Sequence, residues 1–146
     1  MIVTKQTPLA EWFNHAASLG PHSERIYIGS RSYKEDRILG VVAYDSWVGN
    51  TCCMHMYGEP GFATPNFMWA IFHYPFVVCG FDSVMAMIEA QNVRSLSIAT
   101  RVGFKLRTII ESENPSLSVH VLVMKKDECR WLERKHVQKP STAAAA

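Results

Sequence analysis

The chain has 146 residues, of which 48% are hydrophobic and 19% charged, a composition typical of one globular domain with its own core. No apolar run is long enough to cross a bilayer, and the N-terminus lacks the pattern of a secretory signal, so we expect a cytoplasmic protein. The formal net charge of +2 argues against nucleic acid as a partner, because nucleic-acid-binding surfaces are usually strongly basic.

The first part of the chain predicts one amphipathic helix followed by three strands. Apolar residues such as Leu9 and Phe13 share one face of a helix predicted over residues 8–19. The next segments have strand composition between turn signals, and the first two are expected to form a hairpin. These strands are predicted over residues 25–30, 37–44 and 51–57.

A long apolar segment then predicts a helix over residues 65–79. Thr64 precedes Pro65, an arrangement typical of a helix N-cap and first helical position. Pro75 lies inside the segment, and we expect it to kink or divide the helix because it has no backbone N–H to donate.

The segment over residues 84–104 organises the rest of the chain. An apolar run of strand length, residues 84–88, leads through a polar turn into a helix predicted over residues 93–102. Asn92 suits the N-cap of this helix, and Gly103 suits its end, where a left-handed conformation is often required. The helix prediction rests on one apolar stripe: Val93, Leu96, Ala99 and Val102.

The C-terminal part predicts two antiparallel strands, a short helix and a tail. Residues 105–111 and 119–124 are expected to pair as a hairpin, and residues 127–134 to form the short helix. We therefore expect a single domain over residues 1–136. Residues 137–146 are expected to be a disordered or expression-derived tail.

Asn92, Ser95 and the Gly103-Phe104 pair follow one another at a spacing that resembles the late signature of the GNAT family of N-acetyltransferases. The order of the predicted elements over residues 26–124 is similar to that fold as well. Three further features resemble a short GNAT variant that is frequent in bacteriophage genomes. They are the histidine within residues 54–56, the Phe-x-Tyr-Pro-Phe pattern of residues 72–76 and the Glu-Cys-Arg-Trp-Leu of residues 128–132.

The resemblance implies an α/β (α+β) GNAT-like domain, with a strongly twisted, mixed and mostly antiparallel sheet flanked by helices. It implies transfer of an acetyl group from acetyl-CoA to a primary amine by direct attack in a ternary complex. Two alternatives stay open: a non-catalytic GNAT-fold protein acting by acyl-CoA or protein binding, and an acetyltransferase acting on a modified nucleic-acid base. The acceptor amine is not identified, and a homodimer through the late strands, common in such folds, is left open.

A strand, a glycine-containing loop and a helix in that order form a general anion site, because free amides at a helix start point outward. In GNAT proteins this site holds the pyrophosphate of acetyl-CoA. The loop departs from the common family pattern, since it has fewer glycines and Glu59 adds a negative charge. The matching residues are Gly58, Gly61, Phe62 and Ala63, with the amides of Thr64 to Phe67.

In the family, the pantetheine arm of the cofactor lies where the strands at residues 51–57 and 84–88 separate. A main-chain amide of the first strand would polarise the thioester carbonyl there. Arg101 is a further candidate for a cofactor phosphate, although a solvated helix face also explains an arginine at that position. The residues implied are Met54, His55, Met56, Asn92, Ser95 and Arg101.

Attack by an amine requires a base, because only the neutral amine is nucleophilic. His55 is the first candidate, since imidazole titrates near neutral pH, and Glu59 is the second. Many GNAT enzymes carry a Tyr four residues before the glycine of the Gly-Phe pair, where it protonates the leaving thiolate. This chain has Ala99 there, so Ser95, a water molecule or Tyr57 would have to take that role.

The cysteines show no metal-type spacing with histidine, so we expect reduced thiols that pack as small apolar residues, and no metal site. Nothing in their sequence surroundings marks an activated thiol, which argues against a cysteine nucleophile. The four are Cys52, Cys53, Cys79 and Cys129.

Overall fold

The computed structural model describes residues 1–17 and 24–133, and within these ranges seven strands form one sheet. The strands are β1 (Ile2–Val3), β2 (Ile26–Arg31), β3 (Ile38–Val48), β4 (Thr51–Gly58), β5 (Ser83–Glu89), β6 (Lys105–Ile110) and β7 (Val119–Lys125). Their order is β1-β2-β3-β4-β5-β7-β6. Neighbours are antiparallel except β4 and β5, which are parallel, so the predicted mixed sheet is confirmed.

Helices cover both faces of the sheet. They are α1 (Gln6–Ala17), α2 (Pro65–His73) and α3 (Val93–Val102). Successive residues of a strand point to opposite faces, so β3 contributes Val41 to the core under α1 and Val42 to the core under α2 and α3. The end of the first predicted helix and the whole predicted tail lie outside the described residues, as does the domain boundary at residue 136.

The sheet consists of two halves that meet at a single register position. Strand β5 pairs with β7 along its whole length, from Ser83 to Glu89, and β4 pairs with β3 along most of its own length. Between β4 and β5, however, only Cys53 and Met85 are paired. The two strands therefore diverge toward their carboxyl ends, as the resemblance implies.

The predicted helix caps of α2 and α3 are present. Thr64 Oγ1 accepts a hydrogen bond from the Phe67 amide at 3.3 Å, and Asn92 Oδ1 accepts one from the Ser95 amide at 3.2 Å. Gly103 ends α3 with a φ of 122°, in the region that favours glycine. The caps fix where both helices begin, at the carboxyl ends of β4 and β5.

Pro75 divides the predicted long helix. Helix α2 ends at His73, and residues Tyr74–Val78 continue as a π-helical turn that the Cys79 amide closes by donating to Tyr74 O at 2.9 Å. The wider turn follows because Pro75 cannot donate to the ladder of the α-helix.

Some boundaries differ from the predictions. The segment predicted as a short helix over residues 127–134 forms two 3₁₀ turns, Lys126–Glu128 and Arg130–Glu133, because Arg130 and Trp131 each donate a side-chain hydrogen bond to the last carbonyls of α3. Strand β3 runs to Val48, past the predicted end, because Ser46 adopts a φ of 53° and the register shifts there.

Three further differences concern the start of α1, the exposure of Val93 and the short strand β1. Helix α1 begins at Gln6, two residues early, where the Gln6 amide group bonds both main-chain groups of Tyr27 at 2.9 and 3.0 Å. Val93, counted in the apolar stripe of α3, is 69% exposed. The two-residue strand β1 was not predicted, because so short a pairing leaves no periodic pattern.

The Phe62 ring packs against two strands that have glycine where it touches them. A Cβ placed on Gly40 would lie 2.3 Å from the ring, and one on Gly58 would lie 2.4 Å from it. The ring also makes an edge contact with Phe67 of α2, at a centroid distance of 5.9 Å. Phe62 thereby holds the β4–α2 loop against the sheet.

We predict that Gly40→Ala lowers the free energy of unfolding by about 1–3 kcal/mol, because the added methyl group displaces the Phe62 ring. Thermal or urea unfolding measures the effect. The matched control is the same substitution in a Phe62→Ala background, where most of the cost should disappear. An equal cost in both backgrounds would show that the ring is not what the methyl group meets.

Candidate active site

The divergence of β4 and β5 beyond the Cys53–Met85 pair leaves a gap between them, called here the wedge. Its open side lies at the carboxyl ends of the two strands. Beyond Cys53, the backbone groups of β4 that point away from β3 have no strand partner within the described part of the chain. Of the predicted cofactor-binding residues, Met54 and Met56 turn their side chains into the core under α2. His55 lies between them and points to the face covered by α1. Main-chain groups of this stretch can therefore face the wedge while the two methionine side chains do not.

The β4–α2 loop presents unsatisfied amides at the start of α2. The Phe62 amide donates to Glu59 O at 3.2 Å, and the Thr64 amide donates to Phe62 O at 3.0 Å, which gives the loop its shape. In the part of the chain that the structure describes, the amides of Gly61, Ala63 and Asn66 make no hydrogen bond. Gly61 has a φ of 91°, which a residue with a side chain would rarely adopt. These amides and the helix dipole suit an anion.

The negative charge of Glu59 is neutralised by an arginine that the sequence did not single out. Arg37 donates Nη1 to Glu59 Oε2 and Nε to Glu35 Oε2. Hydrogen bonds first to Glu59 and then to Glu35 raise the pKa of Arg37. The pair is half exposed, so its contribution to stability is small. Glu59 is engaged with Arg37 and makes no contact with His55 among the described residues.

The turn between β5 and α3 is held against the β6–β7 turn. The Ala90 amide donates to Ser118 O at 2.8 Å and the Gln91 amide to Ser116 O at 3.1 Å. Asn92 and Ser95 are thereby placed at the carboxyl end of β5, on the side of the wedge opposite His55, as the resemblance implies. The Asn92 side chain is already used as the cap of α3.

Arg101 lies at the other end of α3. Six residues separate it from Ser95, which places it about 9 Å further along the helix axis. Its carbonyl accepts a hydrogen bond from Arg130 Nη2 at 2.6 Å. A contact of Arg101 with a cofactor phosphate stays a prediction.

His55 is part of a buried ion-pair cluster on the α1 side of the sheet. Its Nε2 lies 2.9 Å from Asp45 Oδ1, and Arg25 Nε donates to Asp45 Oδ2 at 3.0 Å. The side chains of Arg25 and Asp45 are 6% and 7% exposed, and that of His55 is 24% exposed. The Arg25 guanidinium also lies 5.5 Å from the centre of the Phe13 ring. His55 is the member of the cluster that solvent reaches most readily.

Asp45 is ionised at neutral pH. Burial would raise the pKa of this carboxyl, but the hydrogen bonds and charges of His55 and Arg25 outweigh burial and hold the pKa of Asp45 below its ordinary value. An ionised carboxylate can only accept hydrogen bonds, so both neighbours must be the donors.

Aromatic side chains surround His55. The Phe13 ring of α1 packs edge-on against Tyr57 at 5.6 Å and lies 6.4 Å from the His55 ring. Tyr57 is 38% exposed. Ala99, at the position where many GNAT enzymes carry a Tyr, is buried in the core under α3. Ser95 is partly exposed at the first turn of that helix.

Three of the four cysteines, Cys52, Cys53 and Cys129, are buried free thiols. Burial raises the pKa of Cys52 to about 12 and raises the pKa values of Cys53 and Cys129 as well. A thiol with a raised pKa holds little thiolate at neutral pH, so a cysteine nucleophile is disfavoured. Residues 1–17 and 24–133 contain no group of three His, Cys, Asp or Glu side chains that could hold a metal ion.

The sequence did not single out Asp45, Arg25 or Arg37 as part of the site. Asp45 directly follows a predicted strand, where a turn residue is ordinary. Arg25 and Arg37 begin predicted strands, where a solvated charge is ordinary. A period-two pattern places Asp45 and Ala43 on one face, but it does not give the register that brings His55 beside them.

Solved acetyltransferases have similar structures. A mutant form of spermidine N-acetyltransferase SpeG from Vibrio cholerae superposes with a TM-score of 0.71 at 9% identity, over 93% of this chain and 98% of that one. A chimera of that enzyme with hSSAT gives a TM-score of 0.67 at 10% identity, over 87% and 96% of the two chains. A GNAT-family acetyltransferase from Bacillus anthracis gives 0.55 at 14% identity, over 70% and 67%.

The chain has the GNAT fold. The expected α+β class is thus confirmed, whereas the resemblance to a bacteriophage variant is not tested by these structures. No protein-family model and no curated protein sequence matches the chain. Helices α1 to α3 and the other described helical turns are all too short or too polar to cross a membrane.

We predict that Asp45→Ala lowers the free energy of unfolding at pH 7 by about 3 kcal/mol, because it removes a buried carboxylate that bonds two donors. Since the pKa of Asp45 is lowered in the fold, its contribution is present above the pKa of the unfolded chain. It is lost as the pH falls through the lower pKa of the folded state. Chemical unfolding at pH 7 and below about pH 4 measures both effects. Equal stability of the variant and the wild type at pH 7 would contradict the prediction.

Proposed function

We propose that the protein is an N-acetyltransferase that moves an acetyl group from acetyl-CoA to a primary amine by direct attack in a ternary complex. The observation that carries the proposal is the wedge between β4 and β5, which are paired only at Cys53 and Met85. A wedge with unpaired backbone on one wall suits an extended, amide-containing arm, which can pair with that wall as a strand would. The similar solved structures, two of them spermidine N-acetyltransferases, support amine acetylation in general.

The free amides at the start of α2 are the proposed site for the pyrophosphate of acetyl-CoA. The residues would be Gly58, Gly61, Phe62 and Ala63 with the amides of Thr64 to Phe67, as the resemblance implies, and the amides of Gly61, Ala63 and Asn66 are the free ones among them in the described part of the chain. Phe62 would act by shaping the loop, since its amide already donates within it. Asn92 and Ser95 would contact the arm from the β5 side, and Met54, His55 and Met56 would offer main-chain groups. Arg101 is a further candidate for a cofactor phosphate, with a solvated helix face as the alternative.

In the proposed reaction, the amine nitrogen forms a bond with the thioester carbon and the carbon–sulfur bond breaks. The amine must lose protons, and the sulfur leaves as a thiolate that takes one up. His55 is proposed as the base, because its ring is accessible on the α1 face beside the wedge. Ser95, Tyr57 or water would protonate the sulfur.

One observation favours a second candidate, a non-catalytic protein that binds acyl-CoA or another protein. Ala99 is buried where many GNAT enzymes carry the Tyr that serves the leaving thiolate. This candidate shares the cofactor site and differs only in turnover. A nucleic-acid base as acceptor has no support in the small net charge of +2.

The experiment that tests the function measures binding first and turnover second. Acetyl-CoA is titrated by calorimetry, and thiol release is then followed with a panel of primary amines that includes polyamines, amino sugars and lysine peptides. Binding with turnover on any amine supports the enzyme. Binding without turnover supports the second candidate, and absence of binding rejects both.

We predict that His55→Ala slows turnover on the order of a hundredfold or more while the affinity for acetyl-CoA stays nearly unchanged, because the side chain acts on the acceptor. Steady-state kinetics and calorimetry make the comparison, with Tyr27→Phe in the core under α1 as a control for disturbance of the same face. Unchanged turnover in His55→Ala would remove His55 from the catalytic residues.

We predict that Arg37→Gln weakens acetyl-CoA binding about two- to fivefold, because it leaves the charge of Glu59 unopposed beside the phosphate-binding amides. Glu59→Gln should keep or strengthen binding, and Glu35→Gln serves as the matched control. Calorimetry at low salt gives the three affinities. If Glu59→Gln instead lowers turnover at unchanged affinity, Glu59 is the base.

We also propose a homodimer through the late strands. Strand β6 is the edge of the described sheet and exposes Leu106, Ile109 and Ile110 by 42–53%. An exposed apolar edge strand is usually covered by a partner. Light scattering should give twice the chain mass, and Ile110→Glu should reduce it. A monomer at millimolar concentration would reject the dimer.

A further inference from the structure

The pairing of His55 with Asp45 and Arg25 extends the proposed function, on which the following inference rests. We infer that Asp45 is a positioning residue: anchored by Arg25, it holds the His55 ring in the tautomer that leaves Nδ1 free to accept a proton from the acceptor amine. The inference adds a residue, Asp45, and an atom, Nδ1, to the proposed site.

The tautomer follows from the hydrogen bond. The pKa of Asp45 is held low, so its carboxylate is ionised and accepts only. The nitrogen 2.9 Å from its Oδ1 is Nε2 of His55, which must therefore carry the hydrogen. In a neutral ring the lone pair is then on Nδ1. No other described residue hydrogen-bonds to the His55 side chain, which is 24% exposed.

The sheet register sets the geometry of the pair. Asp45 is opposite Cys53 on β4 and His55 is opposite Ala43 on β3, so the two side chains are diagonal neighbours on the same face. Arg25 holds the second carboxylate oxygen at 3.0 Å, which prevents Asp45 from turning away. Phe13 closes the cluster from the α1 side, with Arg25 and His55 both beside its ring.

The same arrangement stabilises the ring after proton transfer. When the amine nitrogen gives its proton to Nδ1, the imidazolium that forms is already hydrogen-bonded to a carboxylate. An asparagine at position 45 would remove that charge, and its amide group would donate to Nε2 and favour the opposite tautomer. The expected loss is therefore in turnover, with the affinity for acetyl-CoA unchanged.

The test compares wild type, Asp45→Asn, His55→Gln and the double variant. Nitrogen-15 NMR of histidine-labelled protein reads the neutral tautomer, and His55→Gln assigns the signal by its absence. We expect hydrogen on Nε2 in the wild type and a shift toward hydrogen on Nδ1 in Asp45→Asn. We expect Asp45→Asn to lower kcat on the order of a hundredfold, with little change in KM for acetyl-CoA.

The double variant separates positioning from a structural role. If Asp45 acts through His55, Asp45→Asn costs nothing further in the His55→Gln background. An equal loss in both backgrounds, or hydrogen on Nδ1 of wild-type His55, would overturn the inference. Should the wild type acetylate no amine, the proposed function fails. The tautomer measurement then still decides whether Asp45 orients the ring.

Discussion

The single pairing of Cys53 with Met85 is the constraint on which the rest of the site depends. Strand β4 is held in the sheet by β3 and β5 by β7, so each keeps its place through its outer neighbour while the two facing edges stay unpaired beyond that point. The β5–α3 turn is bonded to Ser116 and Ser118, which holds the carboxyl end of β5 on the β7 side. The result is a wedge with polar backbone on its walls, and such backbone is costly to bury without a partner. An extended ligand with its own amide groups is the natural partner.

Near the wedge, two carboxylates are each neutralised by a neighbouring arginine. On the α2 side, Arg37 offsets Glu59 beside amides that suit an anion. On the α1 side, Arg25 offsets Asp45, so that the carboxylate stays ionised where burial would otherwise protonate it. The Arg37–Glu59 pair is half exposed and changes the charge near the amides of the loop. The Arg25–Asp45 pair is buried and fixes the position of the Asp45 carboxylate. In the proposed reaction, the site for the acceptor amine and the site for the cofactor phosphates would therefore lie on different elements of the fold.

The sequence predicts what depends on local chemistry and misses what depends on register. The N-caps Thr64 and Asn92, the break at Pro75 and the stop at Gly103 were predicted because each acts within a few residues of itself. The contact of His55 with Asp45 crosses a turn whose bulge at Ser46 changes the register by an amount that no periodic pattern contains. Arg25 and Arg37 meet their carboxylates 20 and 22 residues away, for the same reason.

The choice between an enzyme and a binding protein depends more on the base than on the missing Tyr. The leaving group is an alkyl thiol, whose pKa of about 8.5 makes its thiolate a reasonable leaving group near neutral pH without a dedicated acid. An aliphatic amine, by contrast, is almost wholly protonated there, with a pKa near 10 like that of lysine, and does not react until a proton is removed. Ala99 therefore removes the less demanding of the two proton transfers. For the more demanding one we propose His55, whose ring is hydrogen-bonded to the buried Asp45 carboxylate. A chain that served only for binding would have little reason to bury an ion pair that orients an accessible imidazole.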